Sequence, residues 1–235
     1  MLSGVLFDLD GTLLDIDLDS FLRDYFAALG PVVAEALGLD PHDPAGLAAV
    51  VSGTGAMMLP HPGTSNRDAF NAEFERSTGA DLRRSEYASV FERFYAEVFP
   101  TLREDMGPHQ GAGDAVSMAL SMGHKVAIAT NPIFPMSAVR ERMRWAGIDR
   151  LDVHVVTAYE NMHATKPHGA YYLETATMLG VDPSECLMVG DDRSLDMSAA
   201  DVGMRTFYVG DGPLPACDWS GSLEDLAHLL TRLGE

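Results

Sequence analysis

Lysine is almost missing from this chain: Lys125 and Lys166 are the only two in 235 residues. Cysteine is as scarce, with Cys186 and Cys217 alone. That excludes a disulfide framework and leads us to expect two reduced thiols in a cytoplasmic protein. No apolar run is long enough to span a bilayer. The first residues hold no basic stretch and their apolar run breaks at Asp8, so no secretory signal is expected. Positive charge is outnumbered, 16 Lys and Arg against 35 Asp and Glu, for a formal net charge of -19. So acidic a surface repels nucleic-acid phosphates and anionic membranes, and neither is expected as a partner. It also repels an anionic small substrate, so a site for one must carry its own local cations.

What is present reads as a globular protein. Hydrophobic residues make up 46% and charged residues 22%, and this length suits one core with an inserted unit. The run Val5 to Leu9 is short, apolar and bounded by turn residues, as in a buried parallel strand. From about Asp15 to Met106 the pattern turns helical. "DSFLRDYFAALG" carries Phe21, Leu22, Tyr25, Phe26 and Leu29 at helical spacing, with a stop predicted at Gly30-Pro31. "SEYASVFERFYAEVF" repeats the period with Tyr87, Val90, Phe91, Phe94, Tyr95 and Val98.

From about Gly107 helix and strand alternate. Strands are predicted in "KVAIAT", "LDVHVVT", "ECLMVG" and "RTFYVG". Helices are predicted near 113–122, 135–146, 169–179 and 195–202, and in "SLEDLAHLLTRL". Alternation of this kind predicts an α/β fold, a Rossmann-like parallel sheet with helices on both faces, interrupted by an all-α insertion. The expected division is 1–14 and 107–235 for the core and 15–106 for the helical cap.

Ligands of open α/β sheets bind at the C-terminal strand ends. Those ends carry Asp8 and Asp10, Thr130 and Asn131, and Asp191 and Asp192. Four motifs follow in order: "DLDGT", "AIATN", "TKPHG" and "VGDDRSLD". Together they resemble the haloacid dehalogenase-like superfamily over nearly the whole chain. The resemblance is to its phosphatase branch with an inserted α-helical cap, of the phosphoglycolate phosphatase type.

The charge count stands on its own. Asp8, Asp10, Asp191, Asp192 and Asp196 put five carboxylates against one lysine, Lys166. Such a cluster is costly unless a cation joins it, and a donor set of oxygens alone selects a hard ion, Mg²⁺. A calcium-loop reading fails, because Gly11 falls fourth counted from Asp8 where that loop needs its glycine sixth.

The resemblance implies roles. Asp8 would be the nucleophile that forms an aspartyl-phosphate, and Asp10 the general acid and then base. Lys166 would offset the nucleophile and the transferring phosphoryl group. Thr130 and Asn131 would bind substrate phosphate. Asp8, Asp191 and the main-chain carbonyl of Asp10 would hold the metal, with Asp192 and Asp196 supporting it or Lys166. Asp196 is expected in the first turn of a helix.

The implied activity is a Mg²⁺-dependent phosphatase of small phosphorylated metabolites, as a monomer or homodimer. A sugar-phosphate mutase would share these core residues, and an inactive interaction protein would need few of them. A dehalogenase is disfavoured by the presence of Asp10. Substrate choice is expected in the insertion, where Asn66 and Arg67 are candidates to reach the leaving group, with hinges near Asp15 and Gly107. The helix "MSAVRERMRW" reads as core, and His109, His163 and His168 as loop or surface residues.

Overall fold

A computed structural model describes residues 1–103, 105–210 and 215–234. In chain order the elements are β1 (Gly4–Phe7), β2 (Leu14–Asp15), α1 (Leu18–Ala36), α2 (Pro44–Met58), α3 (Asn66–Thr78), α4 (Ser85–Arg93), β3 (Gly107–Pro108), α5 (Ala112–Ser121), β4 (Lys125–Ile128), α6 (Met136–Trp145), β5 (Val155–Val156), α7 (Gly169–Leu179), β6 (Cys186–Gly190), β7 (Arg205–Val209), β8 (Trp219–Gly221) and α8 (Leu223–Gly234). Among the described residues, no helix is long and apolar enough to cross a membrane.

Six strands form one parallel sheet in the order β5-β4-β1-β6-β7-β8. β1 lies inside it, buried along its whole length, with Val5 opposite Val126 on one side and Leu187 on the other. A continuous apolar run is what a strand covered on both faces requires. "LDVHVVT" contributes only Val155–Val156 to the sheet, and β8 adds an edge strand that its sequence did not announce.

The segment between β2 and β3 is helical, as its periodicity predicts. The expected stop at Gly30-Pro31 does not occur: α1 runs on to Ala36 with Pro31 inside it. Leu29, Val33 and Ala34 are buried on its inner face, and that packing outweighs the hydrogen bond proline removes. There α2 crosses very close, since a Cβ on Gly46 would stand 2.7 Å from the Ala34 nitrogen. After α4 the chain continues through a π-helical turn, Phe94–Val98, and a 3-10 turn, Phe99–Leu102.

The insertion rests on the sheet domain through aromatic rings. Phe99 stacks on Trp145 of α6 at 5.4 Å between centroids, and Tyr25 meets Phe134 at 5.2 Å. Its two chain crossings pair as a short antiparallel ribbon, with Leu14 opposite Pro108 and Asp15 opposite Gly107. Asp15 therefore sits in the connecting ribbon, and Asp17 caps the start of α1 by accepting from Ser20 N at 3.1 Å.

Candidate active site

Three neighbouring strands deliver the polar cluster. Asp8 follows β1 directly, Thr130 and Asn131 lie just past β4, and Asp191 follows β6. Their side chains line one pocket together with Asp10, Gly11, Arg142, Lys166, Asp192 and Asp196. Gly11 has φ +85°, and a side chain there would collide with the Asp191 carboxylate. Glycine is thus required both for the turn and for the close approach.

Lys166 is the hub. It is 1% exposed, and its Nζ donates to Asp8 Oδ1 at 2.6 Å and to Asp196 Oδ1 at 2.5 Å. Burial alone would drive its proton off, but Asp196 and Asp8 together hold its pKa well above the usual lysine value. The second Asp196 oxygen accepts from Asp192 N at 3.0 Å, so both of its oxygens are committed. Asp196 does not lie within an α-helix as expected; it caps a 3-10 turn, Met197–Val202. The Asp192 carboxylate turns to its own loop, accepting from Ser194 N at 2.7 Å and Leu195 N at 2.8 Å. Its link to the cluster is the backbone N–H on Asp196.

Asp8, Asp191 and Asp196 each offer an oxygen within 4.8 Å of the others, a spacing that fits a single hard cation. Asp191 Oδ1 accepts from the Thr12 hydroxyl at 2.8 Å. Burial pushes the Asp8 carboxyl upward against the pull of Lys166, and Asp196, Asp191 and Asp10 push the same way. Burial takes Asp191 to about 6 against the Thr12 hydrogen bond. These carboxylates resist ionising together, which is the electrostatic condition that a divalent ion relieves.

Asp10 stands apart from that trio. Its Oδ2 accepts from Arg142 Nη1, on α6, in a close ion pair. Arg142 is 1% exposed and its guanidinium lies 4.4 Å from the centre of the Phe134 ring. The cluster therefore sets five carboxylates against two cations rather than one. Arg142 escaped the sequence reading, although a signal existed: with Ala138, Val139, Met143 and Trp145 it falls on the buried stripe of α6.

Thr130 is buried in the pocket wall, its carbonyl accepting from Thr157 Oγ1 at 2.8 Å and Tyr171 OH at 2.9 Å. Asn131 Oδ1 accepts from Lys166 N at 3.2 Å, tying two of the motif loops together.

Asn66 is not free to reach a leaving group as expected, whereas Arg67 faces a cavity beside the pocket. They open α3 behind the Ser65 cap, and their N–H groups donate to Met162 O and Tyr159 O, each at 2.8 Å. The buried Asn66 amide donates to Pro132 O at 3.0 Å and Ala164 O at 3.2 Å, so it latches the insertion onto the sheet domain. Arg67 lines a separate cavity of about 490 Å³, with Tyr25, Phe70, Tyr95, Tyr159 and Glu160. Ile133 borders both that cavity and the aspartate pocket. His163 pairs with Glu174 at 2.6 Å near the surface, outside the pocket.

Comparison with known proteins bears on the family and the fold. The family model described as haloacid dehalogenase-like hydrolase matches residues 2–202. Among curated proteins, the N-acetylmuramic acid 6-phosphate phosphatase of Pseudomonas aeruginosa is 28% identical, over 90% of this chain and 83% of its own length. The phosphoglycolate phosphatase of Pseudomonas putida is 29% identical, over 96% and 78%. Among solved structures, a HAD phosphatase from Thermococcus onnurineus superposes with a TM-score of 0.60 at 23% identity, covering 97% of this chain and 98% of that one.

Proposed function

The chain belongs to the haloacid dehalogenase-like hydrolase family, and on that premise we propose that it is a Mg²⁺-dependent phosphatase of a small phosphomonoester, acting through an aspartyl-phosphate on Asp8. The observation that carries this reading is the pocket at three strand ends, where Lys166 bridges Asp8 and Asp196 and Asp191 lies within reach of both.

Mg²⁺, held by Asp8, Asp191 and the main-chain carbonyl of Asp10, would offset the charge of the phosphoryl oxygens. Asp8 attacks phosphorus, its charge balanced by Lys166. Asp10 protonates the leaving oxygen and then takes a proton from the water that releases phosphate. The Thr130 hydroxyl and the N–H groups around Asn131 hold the phosphoryl oxygens. Lys166 remains fixed by Asp196, whose position depends in turn on the backbone of Asp192. The helical unit, 15–106, serves as a cap that excludes water, moving on the Asp15–Gly107 ribbon. The two curated relatives are named for phosphomonoesters of small metabolites, and the 490 Å³ cavity beside the pocket suits the organic part of such a substrate.

EDTA is expected to abolish phosphate release from p-nitrophenyl phosphate, and added Mg²⁺ to restore it. Full turnover in EDTA would contradict the reading. Protons compete with the metal for Asp8 and Asp191, so the Mg²⁺ concentration for half activation should climb as pH falls through about 6. Release of inorganic phosphate, without isomerised sugar phosphate, separates this activity from that of a mutase.

A further inference from the structure

Arg142 is the buried charge this mechanism leaves without a task. It comes from the helix read as plain core, yet its Nη1 meets Asp10, the catalytic carboxylate that stands outside the Asp8, Asp191 and Asp196 group. The guanidinium also lies over the Phe134 ring, at cation–π distance. Among the described residues its Nε and Nη2 are buried with no hydrogen-bond partner, and so is Asp10 Oδ1. A fully buried guanidinium with two idle nitrogens is a poor device for stability alone. A leucine or methionine would fill this place on α6 with no polar group to satisfy.

We propose that Arg142 is the positioning residue for Asp10: by engaging Oδ2 it leaves Oδ1 as the oxygen that handles the proton. This rests on the phosphatase reading above. As the bond from phosphorus to the leaving oxygen breaks, that oxygen keeps the electron pair and takes the proton from Oδ1. Asp8 forms its bond to phosphorus on the opposite side. In the second half, water gives a proton back to Oδ1, its oxygen bonds to phosphorus, and the Asp8 carboxylate departs. Arg142 stays on Oδ2 throughout. Among the described residues its hydrogen bond goes to Asp10 and to none of Asp8, Asp191 and Asp196. A planar, always charged fork clamped by an aromatic ring holds one carboxyl rotamer better than a flexible ammonium does.

The test uses ring-substituted phenyl phosphates, from p-nitrophenyl phosphate, whose leaving group needs little protonation, to unsubstituted phenyl phosphate, which needs more. The readout is the rate of the first leaving-group release in single-turnover mixing, because the later dephosphorylation is common to all members and fails alike wherever the base is lost. In Arg142→Met, that rate on phenyl phosphate should fall on the order of tenfold to a hundredfold while p-nitrophenyl phosphate is much less affected. Asp10→Asn should show the same steepened dependence on the leaving group, and Arg142→Lys an intermediate one. An equal fall of the first-release rate on every substrate, or a change in substrate affinity with that rate unaltered, would overturn the proposal and leave Arg142 a packing residue. Should Arg142→Met fail to fold, Arg142→Lys decides: parent-like rates and slope across the series would overturn the proposal. A parent protein that hydrolyses no member of the series overturns the phosphatase reading and this proposal with it. An active parent with a flat response to the Arg142 substitutions overturns this proposal alone.

Discussion

Asp8→Asn is expected to lose at least about a thousandfold in kcat on p-nitrophenyl phosphate, because an amide cannot take the phosphoryl group. The substitution keeps the shape of a side chain that follows the inner strand β1 and is 7% exposed. Lys166 can still donate to the amide oxygen, and it keeps its bond to Asp196 at 2.5 Å. Burial already pushes the Asp8 carboxyl upward, so removing its charge relieves strain in the cluster as well as deleting a partner. The variant should therefore melt within a few degrees of the parent, a shift of about 1 kcal/mol or less. Steady-state kinetics with thermal unfolding checks both halves; turnover within tenfold of the parent would remove Asp8 from the mechanism.

Lys166→Met should damage function and fold together. Asp8 Oδ1 and Asp196 Oδ1 converge on a single Nζ that is almost fully enclosed. Removing it strands two buried carboxylates, which costs about 3–5 kcal/mol when one partner of such a pair is deleted. The loss depends on pH, with a definite sign. Without Lys166 the carboxylates of Asp8 and Asp196 rise further above their unfolded values, so the folded state binds extra protons. Its penalty is then smallest in acid and grows as pH rises. Melting measured without metal should show a larger gap between parent and variant at about pH 8 than at about pH 5. Turnover should fall by on the order of 10²–10³, the scale for removing a charge aimed at the transition state. A variant as stable as the parent at both pH values would mean that the bridge does not hold the site together.

The strand ends were legible because β1, β4 and β6 are short apolar runs that stop at polar residues, a pattern that depends only on local burial. Asp8, Asp10, Thr130 and Asp191 lie where that pattern puts them. What escaped depends on partners distant in sequence. α1 passes through Pro31 because α2 and the sheet domain hold its inner face, which no window around residue 31 contains. β8 has only three residues, Trp219–Gly221, and joins the sheet by pairing with β7. Asn66 looked like a loop residue free to reach substrate, but its amide spans 66 positions to Pro132 and 98 to Ala164. The apolar stripe of α6 marks Arg142 as inward-facing, but its partner Asp10 lies 132 positions away. Lys166 was the easier case, since lysine is so rare here that its position stood out.

The central claim is transfer of the phosphoryl group to Asp8, and it is tested most directly by catching that group there. Asp10→Asn should accept phosphate from p-nitrophenyl phosphate, whose leaving group needs little acid assistance, and then stall for want of a base. Mass measurement of the acid-quenched mixture should find one phosphoryl group per chain, located by peptide mapping to Asp8 and absent from the Asp8→Asn protein. Continued release of p-nitrophenol with no adduct, or an adduct on any other residue, would contradict it.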